Sequence, residues 1–244
     1  MYYFDFLGIK ICSIEPNELI QKIVELGLGN QKHSISYVNA HCMNISAQDI
    51  EYKNILNHID LVYADGIGVV FGAKFLNLSL PCRITAADVF FDFCRKCSST
   101  NLKLYFLGGR PGIAGEAASK LKQKITNLSI IGYHDGYFTD KEESIVLSDI
   151  NKKQPDILVI GLGAPIQEKW VNKNFNFLNV KVFWCVGGLF DLISGNLRRG
   201  PKWMTDNNLE WLSRLIITPH KVWKRYLIGI PMFFINILKY RFGY

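Results

Sequence analysis

No stretch of this sequence is apolar for long enough to cross a bilayer. The apolar run near its end, Leu227 to Leu238, has twelve residues and contains Pro231, whereas a spanning helix needs about 20. The opening MYYFDFLGIKICSIEPNEL lacks a basic start followed by an apolar core, so the chain is expected to stay in the cytoplasm. The G-x-G-x-x-G fingerprint is missing, which argues against a dinucleotide-binding oxidoreductase, and so is the P-loop pattern. No Asp-x-Asp pair is present to hold a divalent metal on a diphosphate. Neutralising a phosphate leaving group would then fall to Arg, Lys and helix dipoles.

Cysteine usage excludes more. The six cysteines are scattered and resemble no small secreted disulfide framework. Cys94 and Cys97 have CxxC spacing but close a helical pattern instead of opening one, and no second pair completes a zinc site. No metal or redox role is expected of them.

Acids are scarce in one place only. From Gly195 to the end there are two, Asp206 and Glu210, against nine bases. The other 194 residues balance at 19 of each, so the whole net charge of +7 lies in the tail. That segment also holds Trp203, Trp211 and Trp223. Pro219 and Pro231 should divide it into short helices. Lys221, Lys224 and Arg225 share a helical face, and the neighbouring apolar run suits an anionic membrane surface. An ordinary amphipathic helix is the plainer alternative. Nucleic acid is a poor partner for so apolar a segment.

What remains is an α/β pattern. At 49% hydrophobic and 20% charged the chain is globular, and its length fits one large domain or one domain plus an appendage. Strand candidates are FLGIKIC, SISYVN, DLVYAD, LKLYFLGG, LSIIGYHDG, DILVIGLG and VKVFWCVGG. Several are apolar nearly throughout, as in a parallel sheet covered on both faces. Between them lie helical patterns. Ile113, Ala117, Leu121 and Ile125 form one buried stripe, with Pro111 in the first turn. Thr85 can cap the helix that follows it. The expected fold is a doubly wound, Rossmann-like, largely parallel sheet with helices on both faces. An α/β core, expected over residues 1–194, is followed by a basic helical appendage, 195–244. Because every strand lies before the appendage, the core is expected to fold without it.

In such folds ligands bind at the carboxyl ends of the strands. Gly108, Gly109, Gly136, Gly163 and Gly188 fall there, where a ligand can approach the backbone and helix N-termini attract phosphate. The rim therefore suggests a nucleotide-type ligand. Asp65 ends the run LVYAD and is followed by Gly66. Its plain reading is an N-cap for the next helix.

The chain resembles the WecG/TagA/CpsF family of bacterial glycosyltransferases, glycosyltransferase family 26. The resemblance rests on VNAHCMN, LVYADGIGVV, LYFLGGRPGIAGEAASKL, DILVIGLGAPIQEKW, VGGLFDLISGNLRRGP and LEWLSRL with KRYL. It implies an inverting transfer of a sugar, N-acetylmannosamine-type or hexose, from a UDP-sugar to a polyprenyl-diphosphate-linked saccharide for bacterial surface polysaccharide. It implies a peripheral position on the inner face of the cell membrane, and the missing Asp-x-Asp pair leads to the expectation of no metal. Asp65 matches the proposed general base. Asn39 matches a donor-site position, Arg83 and Gln167 match substrate-site positions, and Asp191 one near the nucleoside. Arg214 and Arg225 match tail arginines thought to meet the diphosphate. Tyr37, Gly66 and Arg199 complete the substrate-site candidates. Tyr37 stands where many members have Thr, and Ala86-Ala87 where Gly and a small hydroxyl residue are common. The rival readings are a nicotinamide-dependent oxidoreductase and a non-catalytic, membrane-tethered nucleotide-sugar-binding protein.

Overall fold

The computed structural model describes residues 2–243, without the side chain of Lys221. The strands are β1 (Tyr2–Phe6), β2 (Ile9–Ser13), β3 (His33–Val38), β4 (Leu61–Ala64), β5 (Leu104–Gly108), β6 (Ile130–His134), β7 (Ile157–Gly161) and β8 (Val182–Cys185). The core helices are α1 (Pro16–Leu28), α2 (Ala40–Ser46), α3 (Ile50–His58), α4 (Ile67–Phe75), α5 (Ala86–Thr100), α6 (Ile113–Lys124), α7 (Asp140–Lys153), α8 (Ile166–Asn174) and α9 (Leu189–Ser194). The tail adds α10 (Lys202–Asp206), α11 (Glu210–Ile217), α12 (Pro219–Trp223), a π-helical turn over Lys224–Ile228, and α13 (Gly229–Phe242).

One eight-stranded sheet runs β1-β2-β4-β3-β8-β7-β5-β6. Only the β1–β2 pair is antiparallel. Alternate residues feed opposite faces, as the period of a strand requires. Ile35, Tyr63, Phe106, Val159 and Trp184 enter one core with α1, α5, α6 and α9. Val62 and Ala64 enter a second, with α2, α3 and α4. Tyr105, Leu107, Leu158 and Phe183 enter a third, with α7 and α8. The doubly wound expectation therefore holds.

Three local expectations change. FLGIKIC is not one strand. Leu7 (φ 55°) and Gly8 (φ 77°) form a two-residue turn that pairs Phe6 with Ile9, as a tight hairpin demands. Pro111 lies outside its helix, because α6 starts after Gly112 (φ 87°). Thr85 is the N-cap residue of α5 but makes no side-chain cap. Its hydroxyl instead donates to Asp88 Oδ2 at 2.7 Å. Cys94 and Cys97 point into the core, where burial pushes both thiols up, the opposite of an activated pair.

The tail is not a loose appendage. Phe233 and Ile237 of α13 are fully buried in the second core, beside Phe6, Val69 and Ala73. The approach of Ile237 needs Gly72: a Cβ there would stand 2.7 Å from Ile237 Cδ1 and 2.9 Å from Phe6 Cζ. Asn44 Nδ2 donates to the Gly229 carbonyl at 2.6 Å, and Tyr240 donates to Asp5 Oδ1 at 2.6 Å. Removing the tail would strip this core, contrary to the expectation that residues 1–194 fold alone. The expected face of Lys221, Lys224 and Arg225 rests partly on Lys221, whose side chain lies outside the described residues. Lys224 is exposed, whereas Arg225 turns into the cavity described below.

Emptying that anchor tests its worth. Phe233→Ala should lower the unfolding free energy by about 3–5 kcal/mol, read from urea denaturation. A change under about 1 kcal/mol would mean that α13 merely lies on the surface.

Candidate active site

A cavity of about 440 Å³ opens at the carboxyl ends of β3, β4 and β8. Neighbouring β3 and β8 are left by connections on opposite faces of the sheet, through α2 in one core and α9 in another, which leaves a crevice between them.

Asp65 lies on its floor. Its N–H donates to the Val38 carbonyl at 2.8 Å, so the β3–β4 ladder runs one step past the strands and fixes the backbone. Capping is not its task. Gly66 (φ 95°) is the N-cap residue of α4, and no side chain caps that helix. The Asp65 carboxyl is pushed up to about 6. Burial is the main cause. Arg214 and Arg225 pull it down, Glu210 pushes it up, and a hydrogen bond from Asn39 favours the anion. Asn39 is oriented as the N-cap of α2, where its Oδ1 accepts from the N–H groups of His41 (3.0 Å) and Cys42 (3.2 Å).

The roof comes from the tail. Arg214 of α11 and Arg225 of the π-helical turn line the cavity opposite the strand ends. Glu210, on the same face of α11, gathers the arginines. It accepts from Arg214 Nη2 at 2.8 Å and from Arg199 Nη2 at 3.1 Å, and Arg83 Nη1 lies 3.8 Å away. Arg199 also pairs with Asp88 of α5. Arg83 donates to Asn208 Oδ1 (2.8 Å) and to the Thr205 carbonyl (3.0 Å). These bonds clamp α10 and α11 against the core. Among the described residues, Arg225 makes no hydrogen bond or ion pair. Burial, and then the field of Arg225, lower the pKa of the His41 imidazole.

The candidates from sequence divide into two groups. Tyr37, Asn39, Asp65, Gly66, Arg83, Gly188, Arg214 and Arg225 all line the one cavity. The others do not reach it. Arg199 belongs to the clamp. Asp191 lies on α9 and accepts from Asn196 Nδ2 at 2.7 Å. Gln167 is fully buried. Its Oε1 accepts from the N–H groups of Gly163 (3.3 Å) and Gly187 (3.0 Å), tying two strand-end loops together. Gly108, Gly109 and Gly136 close-pack the rim beside β7. Gly136 N–H donates to the Gly109 carbonyl at 2.8 Å, and a Cβ on Gly108 would meet the Gly161 carbonyl oxygen at 2.4 Å. Gly163 and Gly188 face open space.

Three residues escape the sequence reading. Glu210 is one of the two tail acids, and its rarity there was the available signal. His41 sits inside a motif already singled out and lines the cavity. Glu168 is fully buried behind Gln167. Its Oε1 accepts from Ser36 (2.7 Å) and Gln167 (2.8 Å), while Oε2 has no partner. Burial pushes its carboxyl up.

A buried carboxylate near arginines, at the rim of an open sheet, suits an enzyme that handles an anionic substrate. The family is more specific. Residues 4–244 match the model of the "Glycosyl transferase WecG/TagA/CpsF family", and the chain belongs to that family of glycosyltransferases. Similar curated proteins include an N-acetylglucosaminyldiphosphoundecaprenol N-acetyl-beta-D-mannosaminyltransferase of Bacillus subtilis (strain 168). It is 33% identical over 205 residues, covering 84% of this chain and 78% of the relative. A protein of the same name from Staphylococcus aureus (strain MRSA252) is 30% identical over 240 residues, covering 96% of this chain and 92% of the relative. The oxidoreductase reading is thereby set aside.

The raised Asp65 carboxyl has a stability signature. A carboxyl that binds its proton more tightly when folded loses stability as the pH rises from its unfolded to its folded value, and the full cost is present above the latter. Asp65→Asn should therefore raise the melting temperature by a few degrees at pH 8, given about 2–4 °C per kcal/mol. The gain should shrink as pH falls through about 6 and vanish near pH 3. A variant less stable than the parent at pH 8 would show that the arginines outweigh burial.

Proposed function

We propose that the chain transfers an N-acetylmannosamine-type sugar or a hexose from a UDP-sugar to a saccharide carried on a polyprenyl diphosphate, with inversion. The product would be a lipid-linked intermediate of bacterial surface polysaccharide. By their names, the Bacillus and Staphylococcus relatives move N-acetyl-β-D-mannosamine onto N-acetylglucosaminyldiphosphoundecaprenol. The observation that carries the reading is Asp65, a carboxyl raised to about 6 on the cavity floor and faced by Arg214 and Arg225.

Inversion by single displacement needs one base on the acceptor side. Asp65 takes the proton of the acceptor hydroxyl as its oxygen attacks the anomeric carbon. The bond from that carbon to the UDP oxygen breaks on the opposite face, and its electron pair leaves with UDP. The departing diphosphate needs fixed positive charge already in place. Arg214 and Arg225 supply it through charge-assisted hydrogen bonds. Open backbone at Gly163 and Gly188 leaves room for the nucleotide. No metal is required in this scheme. Among the described residues, no group of three or more His, Cys, Asp or Glu gathers to hold one.

The enzyme works peripherally on the inner face of the cell membrane. No described helix is long and apolar enough to cross it. The basic excess and the exposed Trp223, Leu227 and Ile228 favour an anionic surface.

The reaction is tested by incubating the protein with a panel of UDP-sugars and a lipid-diphosphate saccharide, and measuring released UDP and product mass. Binding of a UDP-sugar with no release of UDP would favour the non-catalytic alternative. Asp65→Asn should cut kcat on the order of 10²–10⁴-fold and change donor binding little. In the parent, kcat/KM should fall as pH drops through about 6, because the base becomes protonated. Near-normal turnover of Asp65→Asn would remove it from the role. Turnover should also survive EDTA. Loss on chelation with rescue by Mg²⁺ or Mn²⁺ would overturn the metal-free scheme.

A further inference from the structure

The cavity lining is of mixed chemistry. A polar part carries Asn39, Asp65, Arg214 and Arg225. An apolar part of the lining comes from two helices: Ile67 and Phe71 of α4, and Ile230 and Phe234 of α13. These helices are locked together at their base. Phe233 and Ile237 are buried between them and the sheet, and Gly72 admits Ile237 at close range. The cleft above is therefore held open by packing and does not depend on a mobile loop.

Its mouth is expensive to leave bare. Phe71 is 57% exposed and Phe234 is 42% exposed, although both line the cavity. Beyond them the apolar surface continues over Phe75 and Leu238. Apolar area of this kind is stabilised by being covered. The occupant must also be anionic at its inner end, where Arg214 and the unpaired Arg225 lie. A nucleotide sugar offers this apolar lining only the flat faces of its base, which cover one ring and leave the rest of the run from Ile67 to Phe234 bare. A bilayer surface would cover the outer face without entering the cavity.

We infer that the cleft between α4 and α13 is a subsite for the first isoprenoid units of the acceptor, the hydrocarbon adjoining its diphosphate. This rests on the proposed transfer to a polyprenyl-diphosphate saccharide and adds where its lipid lies. The subsite makes the lipid part of substrate recognition at the catalytic cavity, separately from any attraction of the tail to a membrane. Chain discrimination should end where the cleft ends, a few isoprene units from the diphosphate.

The test uses the full chain without detergent or vesicles. Acceptors carry one saccharide diphosphate esterified to methyl or to one, two or three isoprene units, each below its aggregation threshold. In the parent, KM should fall by about 10-fold or more between methyl and two units, since every buried methylene contributes, and then level off. In Phe71→Ser and Phe234→Ser the ratio of the methyl to the two-unit KM should drop towards one. Ile230→Trp, which fills the cleft without losing apolar area, should reverse the preference in favour of methyl. Melting temperatures within a few degrees of the parent establish that the variants are folded. Equal KM for every chain in the parent overturns the subsite. So does a chain preference that survives all three variants, or one that appears only when phosphatidylglycerol vesicles are added. Absence of transfer to any acceptor overturns the proposed function itself, whereas transfer that ignores the chain overturns only the subsite.

Discussion

The structure is organised around one electrostatic conflict. The Asp65 carboxylate sits at the end of a buried strand, where desolvation resists its charge, and tail arginines draw close enough to offset part of that cost. Neither half suffices alone. Without burial the carboxyl would be a weak base with an ordinary pKa. Without the arginines, an uncompensated charge at a strand tip would be far costlier. The balance leaves a group ionised at neutral pH yet basic enough to accept a proton. It requires the sheet and the tail to be positioned against each other, and most other features serve that end.

Two devices do the positioning. Glu210 is the first. A cluster of arginines facing a cavity would repel itself, and one carboxylate bonded to Arg199 and Arg214, with Arg83 nearby, offsets that repulsion. Arg225 is left outside the cluster, so its charge is available to a ligand. The second device is the rim itself. Gln167 spans the β7 and β8 ends through two backbone N–H groups, and buried Glu168 fixes the amide's orientation by accepting from its Nε2. A side chain matched to the substrate site in sequence thus acts on the site through the loops it holds.

Much of the sheet was legible because its strands are covered on both faces and read as continuous apolar runs. The hairpin was not, since Leu7-Gly8 interrupts a run too briefly to break its pattern. Asp65, Asn39 and the cavity-lining arginines were reached through motif resemblance, and local pattern alone favoured a helix cap for Asp65. The arginine clamp was out of reach because its pairs join residues as distant as Asp88 and Arg199, which no local spacing encodes. The insertion of α13 was hidden for a different reason. Phe234, Ile235 and Leu238 are exposed while Phe233 and Ile237 are buried, so apolar residues occupy most of the helix surface and only Asn236, Lys239 and Arg241 interrupt it. That polar strip is too narrow for an inward side to be read opposite it.

The glycines of α4 link these levels. A helix opening with IGVVFG is poorly stabilised by its own propensity, because each interior glycine costs about 1 kcal/mol relative to alanine. Gly66 uses its positive φ to turn the chain away from Asp65. Gly72 gives up a side chain so that Ile237 can enter, and a Cβ on Gly68 would be in van der Waals contact with Phe233. The intrinsic weakness of α4 is thus offset by the docking of α13, and the same docking brings Arg225, a few residues upstream, over the carboxylate. The local sequence that weakens one helix is what allows the tail to complete the site.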